Sequence, residues 1–230
     1  MKKISMLFFA VVLFASMALT AQTPKVTLKF SSAIEGSDDP NIAGQGKNSF
    51  DLFMLGNKSK LVQSAQGMSI SIITDGDAKN QTILMESPMG NYYLTLPEEE
   101  IQEQFKNVTF NYDYTDETKT IAGYVCKKVI VNMVNNETDE EQSLTLYVTE
   151  DLPSSLNFTN YPNLKGYPMR TEMEVKELGD NVKVVSECVE VVPNKKLKPV
   201  AFVLPEATDV RTDPELYENF KSMFGGGEEE

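Results

Sequence analysis

Short runs that alternate apolar and polar residues, each soon closed by a turn signal, set the strongest limit on this chain. Lys25-Val26-Thr27-Leu28-Lys29-Phe30 alternates at period two. Such alternation marks a half-buried strand, because successive side chains leave a strand on opposite faces. Residues 50–55 and 58–63 flank Gly56-Asn57, and residues 68–74 and 81–86 flank Asp75-Gly76-Asp77. Both arrangements are hairpin signals. Further strands are expected at 91–96, 108–114, 123–132 and 143–149, with 170–178 and 181–192 pairing across Gly179-Asp180. A last extended run, 200–204, ends at Pro205. Segments 31–48 and 135–141 are rich in polar and small residues and read as loops.

Helical signals are sparse. Residues 97–105 suit a short helix, with Pro97 at the first helical position, three glutamates at the positive end of the dipole, and Ile101 and Phe105 on one face. Asp213-Pro214 opens a second helix, in which Leu216, Tyr217, Phe220 and Phe224 form one stripe before Gly225-Gly226-Gly227 and three glutamates. About ten strands and two short helices make a mainly β, antiparallel domain. A sandwich and a curved or half-closed barrel both fit that count.

The N-terminus carries an export signal. A basic start (Lys2, Lys3) precedes the apolar run 6–14 and then Ala15, Ser16, Ala18 and Ala21. That order is that of a cleavable secretory signal peptide, 1–21, with the cut near Ala21. The expected layout is therefore signal peptide 1–21, β domain 22–212, and a C-terminal helix with its acidic tail, 213–230. No Cys lies near the cut, and no second run reaches membrane-spanning length. An exported chain, periplasmic or secreted, is the expectation.

Charge and composition exclude several functions. The chain has 21 Lys and Arg against 34 Asp and Glu, a net charge of −13. Removing Lys2 and Lys3 with the signal leaves 19 bases against 34 acids, or −15. Nucleic acid is a poor partner for such a surface. The sequence contains no His, which removes Ser-His-Asp and Cys-His catalysis and nearly all zinc sites. Glu172 and Glu174 leave one face of a strand, as a glycosidase pair would. Their alternation with Met173 and Val175 reads as the wet face of a half-buried strand instead. Asp75-Gly76-Asp77 lacks the further ligands of a calcium loop and reads as a turn, while Gly44-Gln45-Gly46 lacks the context of a phosphate cradle. No catalytic residue, metal site or cofactor is expected.

Cys126 and Cys188 each lie in a β-type run. Export permits a disulfide between them, and two buried free thiols fit equally well. Eleven methionines occur, several in strands, where they fill cores or line surfaces that accept variable apolar ligands.

Four segments resemble an exported bacterial family catalogued as a domain of unknown function. They are Asp116-Glu117-Thr118-Lys119-Thr120-Ile121-Ala122-Gly123-Tyr124-Val125-Cys126-Lys127-Lys128, Leu146-Tyr147-Val148-Thr149-Glu150-Asp151-Leu152-Pro153, Leu164-Lys165-Gly166-Tyr167-Pro168-Met169 and Phe202-Val203-Leu204-Pro205-Glu206. In the last, Ala207 stands where the family has glycine. The resemblance covers roughly residues 52–208 and extends to the LolA-like superfamily of lipoprotein and lipid carriers. It implies a half-open antiparallel β-barrel with helices against the concave side. It also implies a non-catalytic binding function, with a lipid, an acyl chain or a lipoprotein held in the concavity. Met54, Met85, Tyr93, Phe110 and Met173 are the lining residues expected on that reading. The alternative is an envelope protein–protein interaction module without a small ligand, using segment 31–48 and the acidic tail. The strong acidity sits poorly with direct docking on an anionic membrane.

Overall fold

Tight reversals organise the chain. In the computed structural model, which describes residues 24–37, 39, 42, 47–65, 67–179 and 181–224, Gly56 adopts φ 60° between β2 (Asn48–Leu55) and β3 (Lys58–Ala65). A positive φ is what a two-residue hairpin needs at that place. Asp75 closes β4 (Met68–Asp75) by accepting from the backbone N–H groups of Asp77 and Ala78 at 3.1 and 3.0 Å, before β5 (Asn80–Ser87). Ala122 (φ 47°) and Gly123 (φ 89°) turn β7 (Val108–Ile121) into β8 (Tyr124–Asn135). Gly123, conspicuous in the sequence, thus serves a turn. The expected signal peptide, 1–21, and the acidic tail lie outside the described residues.

The remaining strands are β1 (Lys25–Glu35), β6 (Gly90–Pro97), β9 (Glu141–Thr149), β10 (Tyr167–Glu174), β11 (Lys183–Pro193) and the short β12 (Thr208–Asp209). All join one curved, unclosed sheet in the order β12-β6-β5-β4-β3-β2-β1-β11-β10-β9-β8-β7. Among the described residues, only the β12–β6 pair is parallel and every other pairing is antiparallel. The architecture is mainly β and that of a half-open barrel. Helix α1 (Glu98–Glu103) follows β6, and α2 (Pro214–Phe224) ends the described chain.

Several expected boundaries move. Segment 31–35 is strand rather than loop: Ser31 pairs with both Glu187 and Ser49, and the pairing with β11 continues to Glu35. Backbone pairing, two-sided at Ser31 and Ser32 and with β11 alone beyond them, outweighs polar composition there. No two-residue turn joins β10 to β11. Gly179 sits at φ 128°, outside the primed-turn range, and a 3₁₀ turn, Lys176–Leu178, precedes it. Residues 200–204 are not a strand, since Pro199 opens a 3₁₀ turn, Pro199–Phe202. Pro97 caps α1 from outside rather than occupying its first position. Asp213 does cap α2, accepting from Glu215 and Leu216 N–H at 3.0 and 3.3 Å.

Register places apolar rows on one face. Leu28 pairs with Leu52, Phe30 with Phe50, Leu52 with Leu61, Leu61 with Ile72, and Ile72 with Ile83. Paired residues share a face, so these form continuous stripes across β1–β5. Three buried clusters fill the curve. One gathers Leu28, Phe30, Leu52 and Met54 with Leu152, Leu156, Met169 and the two cysteines. A second joins β8 and β9 around Val129, Val131, Leu144 and Leu146. In the third, α2 lays fully buried Phe220 on Ile83 and Leu94, so the helix belongs to the sheet's core.

Candidate functional site

A pocket of about 350 Å³ opens on the concave face. Its walls come from β1 through β5, from β10 and β11, and from the connection between β9 and β10. The floor is apolar: Phe30, Phe50, Leu52, Leu61 and Ile72. The Phe30 and Phe50 rings stack with centroids 5.1 Å apart and planes 6° from parallel. Beside this floor runs a polar row, Ser59, Thr74 and Gln81, in register across β3, β4 and β5. The Gln81 side-chain amide donates to Thr74 Oγ1 at 3.3 Å. On the far wall Thr171 and Ser186 are register partners. Seven adjacent strands contribute to one pocket because the sheet bends around it.

The β9–β10 connection covers the pocket with Leu156, Asn157 and Tyr161. It is strapped down at several points. Asn157, only 5% exposed, donates from its side-chain amide to the carbonyls of Leu164 and Gly166 at 3.2 and 2.7 Å. Ser155 Oγ donates to Asn57 Oδ1 at 3.0 Å, and the Tyr112 hydroxyl donates to Pro162 O at 2.9 Å. The Lys165 N–H donates to the Tyr114 hydroxyl at 2.8 Å. Gly166 holds φ 83° with the Thr149 carbonyl oxygen 3.0 Å from where a Cβ would stand, so a side chain is excluded there. Leu152, Leu164 and Gly166, all within segments that carry the family resemblance, anchor this cover.

Every side chain lining the pocket is uncharged. Burial pushes the phenols of Tyr161 and Tyr167 up, so both hydroxyls stay protonated. Among the described residues, no three Cys, Asp or Glu side chains converge as a metal site.

The five expected lining residues do not converge on this pocket. Met54 is fully buried in the first cluster, in the row of Val26 and Ser59. Met85 packs beneath α2 with the third cluster. Tyr93 pairs with Leu84, and its neighbours Tyr92 and Leu94 face the third cluster, so Tyr93 takes the opposite face. Phe110 joins the second cluster and meets Phe105 edge-on at 5.5 Å. Met173 joins the same cluster. The pocket residues themselves were within reach of the sequence. Counting outward from Gly56-Asn57 pairs Leu52 with Leu61, which identifies the floor row.

The sheet's other face carries a charge network rather than a pocket. Arg170 Nη1 lies 2.7 Å from Glu187 and its Nε 2.5 Å from Glu172, while Lys183 reaches Glu172 at 2.6 Å. Burial works to raise both carboxyls, but these partners, with Lys119 on Glu187, hold both below the ordinary glutamate range. Glu172, half of the tempting Glu172–Glu174 pair, is thereby committed to ion pairs. Cys126 and Cys188 are unbridged, and both are buried in the first cluster.

The chain matches no family model, and no curated protein matches it.

Proposed function

We propose that this chain is an exported, non-catalytic binding protein that holds an apolar ligand in the concavity of its sheet, as the LolA-like resemblance implies. The observation that carries the reading is the covered, uncharged pocket floored by Phe30, Phe50, Leu52, Leu61 and Ile72. Its volume of about 350 Å³ falls at the small end of ligand sites, roughly 300–1,000 Å³. Burial of apolar ligand surface supplies the driving force, about 0.8 kcal/mol per methylene. A lining whose titratable groups are two phenols held protonated by burial suits carriage rather than acid–base chemistry.

Native mass spectrometry of the protein purified gently from its own envelope, followed by solvent extraction, tests the proposal. A stoichiometric added mass that extracts as an apolar compound is the expected result. Leu61→Trp should abolish that mass while leaving the melting temperature within a few degrees, because the indole fills the pocket. A bare mass, with no uptake of any added apolar compound, would sink the reading and favour the interaction module.

A further inference from the structure

The pocket is amphipathic in a particular way, and that restricts what it holds. Its apolar row Leu52–Leu61–Ile72 and its polar row Ser59–Thr74–Gln81 run side by side, because Ser59 and Leu61 are two residues apart on β3 as Thr74 and Ile72 are on β4. Alternate residues of a strand share a face. Ser59 and Thr74 are 6% and 5% exposed, so a group placed against them leaves water. The polar row offers two hydroxyls and one amide, all neutral and all able both to donate and to accept.

We infer that the ligand is a small neutral amphiphile, with its hydroxyl, amide or ester end on Ser59, Thr74 and Gln81 and its apolar body along Leu52, Leu61 and Ile72 beside Phe30 and Phe50. This rests on the binding function proposed above and narrows its ligand class. A carboxylate placed here loses its hydration without a cation to replace it, and burying an unpaired charge is heavily penalised. The net charge of −13 opposes an anion further. An ammonium end likewise finds no carboxylate in the lining. Size sets a second limit. About 350 Å³ holds on the order of a dozen water-sized groups at ~30 Å³ each. One short chain or ring system fits; the several long acyl chains of a lipoprotein terminus do not.

Displacement of a fluorescent apolar probe from the purified full-length protein, by decanamide, decanoate and decylammonium at pH 8, tests this. Decanamide should compete at least tenfold better than either ion. Gln81→Leu should weaken decanamide by about tenfold, measured against the probe affinity of the same variant. Gln81→Lys should reverse the preference, so that decanoate outcompetes decanamide. An ion within tenfold of decanamide on the unaltered protein overturns the neutral-ligand inference and leaves the pocket as a binding site. Failure of the probe and all three compounds to bind removes the binding function itself.

Discussion

Lys119 Nζ lies 2.8 Å from Glu187 Oε2, although their strands, β7 and β11, have three others between them in the sheet. The contact exists because β7 breaks register between Tyr114 and Thr118 and the β7–β8 hairpin bends over the sheet. Glu117 joins the same closure, accepting from the Tyr147 hydroxyl and from Lys128 Nζ, both at 2.9 Å. The bend buries Ile121, Cys126 and Tyr147 in one cluster with residues of β1 and β2. It thereby backs the wall of the pocket.

Arg170 is the hub of that closure. Its side chain is 11% exposed and reaches Glu35, Glu172 and Glu187. Arg170→Met should cost about 2 kcal/mol at pH 7, because it takes the guanidinium from two partly buried carboxylates and leaves each with one lysine, Lys183 on Glu172 and Lys119 on Glu187. Glu172 and Glu187 both have lowered folded pKa values, so their contribution is complete above the unfolded value of about 4.3 and is lost as pH falls below it and through the lowered folded values. The penalty of Arg170→Met should therefore be smaller at pH 3 than at pH 7. Urea unfolding at both pH values measures it. A penalty independent of pH would assign the loss to packing instead.

Asn157 decides whether the pocket stays covered. Asn157→Ala removes the donor to two carbonyls and should cost about 2 kcal/mol. Asn157→Asp should cost more, since it sets an acceptor against two acceptors. Hydrogen exchange should quicken across the β9–β10 connection and hardly change in β3–β5. Equal acceleration in both regions would show that the cover is not a separate unit.

Much of this architecture was legible in the residues. Gly56-Asn57 and Asp75-Gly76-Asp77 announced two hairpins, and the register of the first follows by counting. Asp213-Pro214 announced α2, and Phe220 lay in its apolar stripe. Stretch 31–35 was not legible as strand, because its extended form depends on β11, about 150 residues onward. Nor was Asn157: an asparagine in a loop signals a turn, and its two carbonyl partners exist only once the connection has folded back. The facing of Tyr93, opposite to that of its neighbours Tyr92 and Leu94 beneath α2, was not legible either, because which face of a strand turns inward is set by its partners in the sheet.

Helix α2 should contribute to the stability of the sheet it covers. Phe220 is fully buried against Ile83, Leu94 and Val210. Phe220→Ala should cost about 3–5 kcal/mol by cavity formation and lost transfer energy. Amides of β4–β6 should lose protection more than those of β8 and β9, because α2 touches only the first group. A loss under 1 kcal/mol in urea unfolding would mean that α2 is peripheral.

The two thiols provide a direct probe of the first core cluster. Cys126 and Cys188 are 0% and 1% exposed, and burial pushes each thiol up to about 11. At pH 8 about one thiol in a thousand is ionised, and the thiolate is the reactive form. Native protein should therefore resist a disulfide-exchange reagent for hours, and denaturation in guanidinium without reductant should release two thiols per chain, as the unbridged pair requires. Release of none would show a bridge between the two. Reduction should then lower stability by roughly 4 kcal/mol, because the bridge closes a long loop. Prompt labelling of the native protein would show instead that the bent β7–β8 hairpin opens, exposing Cys126 on a timescale far shorter than global unfolding.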